Sequence, residues 1–274
     1  FFEGTGYVLR RDPQTDQWRE SGTLVDTASP LAPVTGGEVT CQSGKAAMFS
    51  CSQVDLLAYL PVQAIGGKRG IMLNDVWGWT DPETGKEYAL VGRFDGTAFV
   101  DVSNPSSPVY HGALRYTTGA VPNLWRSIKV ARNHAFIVAD GAGAHGMQVF
   151  DLTQLRNVRV PPVTFQETAH YSGIHSAHTI AVNEETGFAY PTGNSMGGET
   201  CGGGLHMIDV RNPANPTFAG CYADTRTGMA RTGYTHESQC VTYRGPDAPY
   251  QGREICFNAS ETAPFPGNLW AGIV

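Results

Sequence analysis

The sequence is poor in charge and has no concentration of one sign. Charged residues make up 16% of the 274 positions, and the formal net charge is −6. Soluble domains carry about 25% charged residues on average. No cluster of Lys and Arg occurs, which argues against a nucleic-acid partner because phosphate binding needs such clusters. No apolar run approaches the roughly 18 residues that span a bilayer, so no transmembrane segment is predicted in this chain.

Several motifs of enzymes and cofactor sites are also missing. The pattern G-x-S-x-G occurs at residues 193–197, but a Gly-rich insertion follows it, whereas a nucleophile elbow leads into a helix. There is no G-x-G-x-x-G between a strand and a helix, and no C-x-x-C. The Gly-rich stretches are therefore predicted to be turns. The chain does not start with a signal peptide, so we expect a mature or processed chain.

Six cysteines are present and fall into three couples that are close in sequence. These are Cys41 with Cys51, Cys201 with Cys221, and Cys240 with Cys256. Fifteen pairings are possible, and the short separations favour the local one, in which each disulfide closes a hairpin. Disulfides would indicate an oxidising compartment. The alternative is six reduced thiols in the core.

One pattern recurs along the chain. A glycine turn leads into a short apolar strand that ends in Asp, as at residues 96–105, 146–153 and 204–213. A strand-rich unit that repeats every 40 to 50 residues or so is typical of a β-propeller blade. We predict that the Asp residues cap the following turn by accepting backbone N–H groups. Calcium binding is disfavoured because no D-x-[DN]-x-[DN]-G loop surrounds them. The three residues are Asp101, Asp151 and Asp209.

The predicted fold is all-β: a β-propeller of four-stranded antiparallel blades that follows an N-terminal extension. The extension, residues 1–69, is predicted to hold a β-hairpin, a linker rich in Pro and Gly, and a short helix-like or apolar segment at 54–60. In the second blade, residues 163–170 are predicted to form the fourth strand. The predicted blades cover residues 70–116, 117–171, 172–224 and 225–274.

The fourth predicted blade stops before its fourth strand, which would leave an unpaired edge. Two explanations are open. The sequence is a partial propeller from a longer chain, or the N-terminal hairpin supplies the missing strands and closes the ring.

Longer runs resemble a known family. Residues 41–61 resemble the start of the choice-of-anchor B family, and residues 74–85 are similar to its first blade. Residues 145–156, 167–171 and 252–258 also match, so the resemblance covers about residues 41–260. The family's Asp-terminated units are of the LVIVD type. The resemblance implies a secreted or surface-attached bacterial propeller whose anchor, if any, lies beyond this chain. It implies no catalytic residues.

Candidate binding residues come from the first strand of each blade, the strand nearest a propeller's axis. Aligning the units places Asn74, Arg126, His178 and Ser238 at one level. His236 lies two positions before Ser238 and therefore shares its strand face. The alternative is that these groups only join neighbouring blades by hydrogen bonds and ion pairs. With their sequence neighbours, the channel-mouth candidates are Asn74, Asp75, Arg126, His178, His236 and Glu237.

This ring can bind an anion or, through His178 and His236 with a carboxylate, a divalent metal. No cofactor is otherwise predicted. His170, His175 and His178 form H-x4-H-x2-H, a weaker metal pattern because the segment reads as strands at different radii. Trp79 or Trp125 can line a sugar- or peptide-binding mouth, although large aromatics more commonly fill the wedges between blades.

A formal glycosylation sequon is present at Asn258-Ala-Ser260. It has meaning only if the source cell glycosylates its proteins.

The predicted function is that of a non-catalytic, secreted or cell-surface binding or scaffold module. Its partner would be a protein or an extracellular polymer. The alternative is an extracytoplasmic metal-dependent hydrolase, similar to lactonase propellers, with His178 and His236 as ligands. The fold alone does not decide between them, because propellers host both classes.

Overall fold

The computed structural model describes residues 6–11, 18–24, 31–68, 70–228, 232–261 and 270–273. This part of the chain is all-β, as predicted, with antiparallel sheets joined by turns and short 3-10 helices. Within it, no helix is long and apolar enough to cross a membrane.

The strands are numbered in chain order. The first eleven are β1 (Gly6–Arg11), β2 (Trp18–Leu24), β3 (Lys45–Ala46), β4 (Phe49–Ser50), β5 (Leu73–Thr80), β6 (Glu87–Arg93), β7 (Gly96–Asp101), β8 (Val109–Arg115), β9 (Arg126–Ala131), β10 (His134–Ala139) and β11 (Met147–Asp151). The others are β12 (Val163–Phe165), β13 (Ala169–Tyr171), β14 (Ile174–Ser176), β15 (Thr179–Asn183), β16 (Phe188–Thr192), β17 (Ser195–Gly198), β18 (Leu205–Asp209), β19 (Thr217–Tyr222), β20 (Glu237–Thr242), β21 (Glu254–Glu261) and β22 (Trp270–Ile273).

Four main sheets follow one another along the chain. The first has the order β5-β6-β7-β8, the second β9-β10-β11-β13, the third β15-β16-β18-β19 and the fourth β20-β21-β22. Neighbouring strands in these orders are antiparallel. The remaining described strands form the hairpins β1-β2 and β3-β4, the small pair β14-β17, and β12 on the edge of the first sheet.

The segment predicted as the fourth strand of the second unit divides between two sheets. Its first part, β12, runs parallel to β8, with Val163 opposite Gly112, and its last part, β13, pairs with β11. A Cβ on Gly112 would lie 1.9 Å from the Val163 carbonyl oxygen, so only glycine permits this approach. Phe165 then packs its ring against Phe99 and Phe150, at centroid distances of 5.4 and 5.1 Å. Burial of Phe165 between the sheets explains the split.

The short segment at residues 54–60 forms no helix. Instead Leu56 and Tyr59 make isolated bridges with Val39 and Val34, and a 3-10 helix, Val62–Ile65, begins after Pro61.

The predicted capping role of the repeated Asp residues is confirmed. In each unit the carboxylate accepts the backbone N–H two residues further on, which stabilises the turn out of the strand. The pairs are Asp101 with Ser103 at 3.0 Å, Asp151 with Thr153 at 2.9 Å, and Asp209 with Arg211 at 2.9 Å.

The local cysteine pairing is also confirmed. The structure has the disulfides Cys41–Cys51, Cys201–Cys221 and Cys240–Cys256. Three disulfides indicate an extracytoplasmic compartment, because reducing compartments do not maintain them.

Apolar side chains fill the space between each sheet and the next. Because side chains alternate along a strand, one internal sheet can pack on both faces. In the second sheet, Ile137 faces the first sheet and the adjacent Phe136 faces the third, and both are fully buried. Tyr190 and Cys240 belong to the layer between the third and fourth sheets. The outer face of the first sheet packs on the N-terminal segment through Ile65.

The first strands of the four sheets lie against one another in series. β5 contacts β9, β9 contacts β15, and β15 contacts β20. The sheets are therefore stacked around their first strands, and the second, third and further strands lie progressively outward. No closed ring of sheets is detected in the described part of the chain.

An ion pair joins the turn after β5 to the 3-10 helix that follows β11. Asp81 has no exposed surface and accepts from Arg156 Nε at 2.8 Å, Thr84 Oγ1 at 2.6 Å and the Glu83 N–H at 3.0 Å. Arg156 lies in the 3-10 helix Leu152–Asn157 that follows β11. Its hydrogen bond holds the pKa of Asp81 well below the ordinary value, despite burial.

Replacing Arg156 with Met should lower the free energy of unfolding, because the Asp81 carboxylate, which has no exposed surface, would lose its cation. Urea denaturation measures this. Arg211→Met is the matched control, since Arg211 is 63% exposed and pairs with Asp209 at the surface. Its cost should be clearly smaller, because solvent screens an exposed ion pair. Equal costs for the two variants would contradict the role given to Asp81.

Acid should remove the same stabilisation. The pKa of Asp81 is lower in the folded chain than in the unfolded chain, so its contribution is complete above an unfolded pKa of about 4 and falls away at more acidic pH. Asp81→Asn should therefore show a weaker loss of stability below about pH 4 than the wild type, measured by urea midpoints across the acid range. Parallel acid profiles for the two proteins would refute this.

Candidate binding cleft

A cleft of about 470 Å³ opens where the four first strands meet. Its lining residues come from β5, β9, β15 and β20 or from positions directly before those strands. They are Asn74, Asp75, Trp125, Arg126, Ser127, Lys129, His178, Thr179, His236 and Glu237. All six residues predicted for the channel mouth are in this set, so the structure brings them together. Their use in binding stays a prediction.

Asn74 and Asp75 join the first sheet to the second. Asn74 Oδ1 accepts the Arg126 N–H at 2.9 Å, and Asp75 Oδ2 accepts the Ile128 N–H at 2.7 Å. Asp75 Oδ1 also accepts the N–H of Val76 at 2.8 Å. These bonds are of the kind expected if polar residues at this level connect neighbouring blades. Asn74 and Asp75 thus have a structural role.

The same kind of bridge recurs in the next two sheets, at the position equivalent to Asp75. Ser127 Oγ accepts the Ile180 N–H at 3.4 Å, and Thr179 Oγ1 donates to the His236 carbonyl at 3.2 Å. Sequence reasoning missed Ser127 and Thr179. Both could have been identified by aligning the units, because Ser127 and Thr179 occupy the position that Asp75 occupies in the first unit, directly after the residue at the level of Asn74.

Arg126 is 3% exposed and points among neutral polar groups. Its Nη2 donates to His145 Nε2 at 3.0 Å and lies 3.5 Å from Gln148 Oε1. His145 Nδ1 donates to the Gly146 carbonyl at 2.9 Å, which leaves Nε2 as an acceptor. Burial, with the charge of Arg126, lowers the pKa of His145 to about 3, so His145 is neutral.

Burial lowers the pKa of Arg126 to about 10, which leaves its guanidinium charged at neutral pH. Its Nε and Nη1 atoms are buried and have no hydrogen-bond partner. His145 and Gln148 were not identified from the sequence, because both lie more than 15 residues from Arg126 and meet it only across the second sheet.

His178 and His236, the predicted metal pair, are in ring contact with centroids 4.2 Å apart. His178 Nδ1 lies 2.9 Å from Asp140 Oδ2, and this hydrogen bond lowers the pKa of Asp140. Asp140 directly follows β10, and no spacing in the sequence links it to His178. Metal binding by this pair stays a prediction.

In the described part of the chain, the one group of three His, Cys or carboxylate ligand atoms within 4.8 Å of one another is Cys201, His206 and Cys221. The two sulfur atoms form a disulfide, so neither can act as a thiolate ligand while that bond is intact.

The pattern of His170, His175 and His178 does not gather its three rings in one cluster of the described residues. His170 Nδ1 lies 3.2 Å from Glu167 Oε2, and His175 Nδ1 donates to the Met196 carbonyl at 2.8 Å. Each histidine thus has a separate partner.

Trp125 and Trp79 occupy different environments. Trp125 lines the cleft and is 53% exposed. Trp79 is 7% exposed, stacks on Tyr88, and donates from Nε1 to Asn133 Oδ1 at 3.1 Å, so it fills the wedge between sheets. Lys129 Nζ lies 4.1 Å from the centroid of the Trp77 ring in a cation–π contact.

Asn258 of the sequon is 4% exposed and lies within β21. Its Oδ1 accepts from Ser238 Oγ at 2.8 Å. Glycosylation at Asn258 stays a prediction, and this burial counts against it because the folded sheet gives a glycan no access.

Comparison with known families identifies the repeat. The profile of the LVIVD repeat matches residues 86–118 and 201–224. The first match spans β6 to β8, and the second spans β18 and β19, so both include an Asp-terminated strand and the strand after it. No curated protein matches the chain. The chain therefore carries LVIVD repeats within an all-β structure.

Asp75→Ala should lower the free energy of unfolding by about 1 to 2 kcal/mol, because it leaves the Ile128 N–H between the sheets without an acceptor. Urea denaturation again provides the measurement. Glu237→Ala is the control from the same cleft, and its exposed side chain should change stability by less than about 0.5 kcal/mol. A loss no larger for Asp75→Ala than for Glu237→Ala would disprove the bridging role.

Proposed function

We propose that this chain is part of a secreted or cell-surface β-propeller of the choice-of-anchor B type, and that it is a non-catalytic binding or scaffold module. Its LVIVD repeats and three disulfides support this assignment. The propeller arrangement is supported by the serial contact of β5, β9, β15 and β20, since the first strands of propeller blades surround the axis.

The observation that carries the proposed binding role is the cleft formed by these four strands. Its volume of about 470 Å³ lies in the range of sites for small ligands or short polymer segments. The wall combines the exposed indole of Trp125 with the polar side chains of His178, His236 and Glu237. An aromatic face beside a few convergent polar groups is the usual composition of a recognition site. The partner is a protein or an extracellular polymer.

A second candidate function is a metal-dependent hydrolase with His178 and His236 as ligands. The contact between Asp140 and His178 favours it, because metal-binding histidines commonly give their other ring nitrogen to a carboxylate. The two rings are also close enough to share an ion.

Binding should weaken when the aromatic wall of the cleft is removed. Trp125→Ala should weaken binding to immobilised extracellular glycans or peptides by roughly tenfold, since an exposed aromatic anchor contributes on the order of 1.5 kcal/mol. Arrays of both ligand types provide the measurement. Tyr250→Ala is the control, because Tyr250 is 49% exposed and lies outside the cleft. A wild-type chain that binds no ligand on either array would count against the proposal.

Elemental analysis separates the two candidate functions. The purified protein is dialysed against Zn²⁺ and then against buffer, and the His178→Ala/His236→Ala variant is treated in parallel. Stoichiometric zinc that the double variant loses, and that a His175→Ala control retains, would favour the hydrolase. Equal zinc content in all three proteins would remove its main support.

A further inference from the structure

The strands that form the cleft are each the border strand of their sheet, so their free edges meet there. They are β5, β9, β15 and β20. A free edge offers backbone groups to which an extended peptide can add as a further strand. On β9, the N–H groups of Arg126 and Ile128 leave the sheet, but side chains of the first sheet already accept them. The acceptors are Asn74 at 2.9 Å and Asp75 at 2.7 Å.

The next two strands are blocked in the same way. The Ile180 N–H of β15 donates to Ser127 Oγ at 3.4 Å. The carbonyl of His236, directly before β20, accepts from Thr179 Oγ1 at 3.2 Å. These contacts occupy backbone positions that an added peptide strand would use. A ligand of this cleft is therefore recognised by side chains and not by strand addition.

The residues that supply those side chains are polar, with one exception. Of the ten lining residues, Trp125 alone has a large apolar side chain, and it is 53% exposed. A peptide held by its side chains needs several apolar surfaces around it, as most ligand pockets provide. One indole face among polar side chains instead suits a hydroxylated ligand with a single flat apolar face. A sugar ring has this character, because its C–H groups can stack on an aromatic ring.

The charges of the cleft favour neither an anion nor a cation. Lys129 Nζ lies 4.1 Å from the centroid of the Trp77 ring, so that ring already contacts its ammonium group. Both carboxylate oxygens of Asp75 accept backbone N–H groups. The two cations of the lining, Arg126 and Lys129, are offset by Asp75 and Glu237. Without an excess of either sign, the cleft suits a neutral ligand.

Glu237 has a carboxylate that is available to such a ligand. Its side chain is exposed in the cleft, and it forms no hydrogen bond or ion pair with the residues that the structure describes. A carboxylate accepts hydrogen bonds on both oxygens, and these bonds are stronger than those between neutral groups. Two neighbouring hydroxyl groups of a sugar ring match this pair of acceptors.

We propose that the cleft binds a segment of a neutral polysaccharide, with one sugar ring stacked on Trp125 and ring hydroxyl groups bonded to Glu237. This inference rests on the proposed binding function, and it narrows the partner to one chemical class. Peptides and charged polysaccharides lie outside that class.

The test begins with one array that carries neutral oligosaccharides of glucose, galactose, mannose and xylose. The same array carries uronate oligosaccharides, glucosamine oligosaccharides, and uncharged, acidic and basic peptides. The full chain should bind a neutral oligosaccharide most strongly. Calorimetric titration with that oligosaccharide should give an affinity that changes by less than about twofold between about 0.05 and 0.5 M NaCl, because salt screens only charged partners.

Glu237→Ala should weaken this binding roughly tenfold, the value of one charge-assisted hydrogen bond. Glu237→Gln, which retains one acceptor oxygen, should retain part of the affinity. Glu38→Ala is the matched control and should leave the affinity unchanged, since Glu38 is also exposed but lies outside the cleft. Circular dichroism checks that each variant is folded.

Strongest binding to a uronate, glucosamine or peptide probe overturns the inference, as does undiminished affinity of Glu237→Ala for the neutral oligosaccharide. An affinity that falls steeply with salt also overturns it. In these cases, binding that Trp125→Ala weakens would leave the proposed function standing. A wild type that binds no probe on the array would contradict both.

Discussion

The structure depends on hydrogen bonds that connect the first strand of each sheet to the first strand of the next. These strands run side by side at the centre of the stack, where several of their polar groups are partly or fully buried. Asp75 accepts a backbone N–H from the second sheet, and Ser127 accepts one from the third. Buried polar groups must find partners, and a side chain of the preceding unit supplies them here. Each sheet is thereby positioned relative to its neighbour at one level.

This central requirement divides the cleft residues into two groups. In the first group, the side chains form hydrogen bonds with backbone groups of the next sheet. This group is Asn74, Asp75, Ser127 and Thr179. Arg126 is different, because two of its nitrogen atoms are buried without partners. The lining of the candidate cleft and the contacts between sheets thus involve the same few residues of each first strand. The partly exposed pair of His178 and Asp140 lies at the edge of this region.

Most of the fold could be predicted from local patterns. Alternating apolar strands, glycine turns and terminal Asp residues recur in each unit, and these are effects of a few neighbouring residues. The prediction failed at residues 163–170, where Phe165 is buried against rings of two sheets and carries β12 to the edge of β8. No local pattern contains that contact. In the site, aligning the units was enough to bring six residues to one cleft, but it did not reveal His145, Gln148 or Asp140, whose partners lie in other strands.

The sequence by itself determined the all-β class, most strand positions, the local disulfides and the capping Asp residues, because each follows from spacing within a short segment. Only the tertiary structure decided which polar side chains form hydrogen bonds between sheets and which have donors without a partner. The physical reason is that hydrogen bonding and burial depend on what another strand places opposite a residue. An arginine side chain is positively charged wherever it occurs in a protein. Only the packing of two sheets makes Arg126 a buried cation with neutral neighbours.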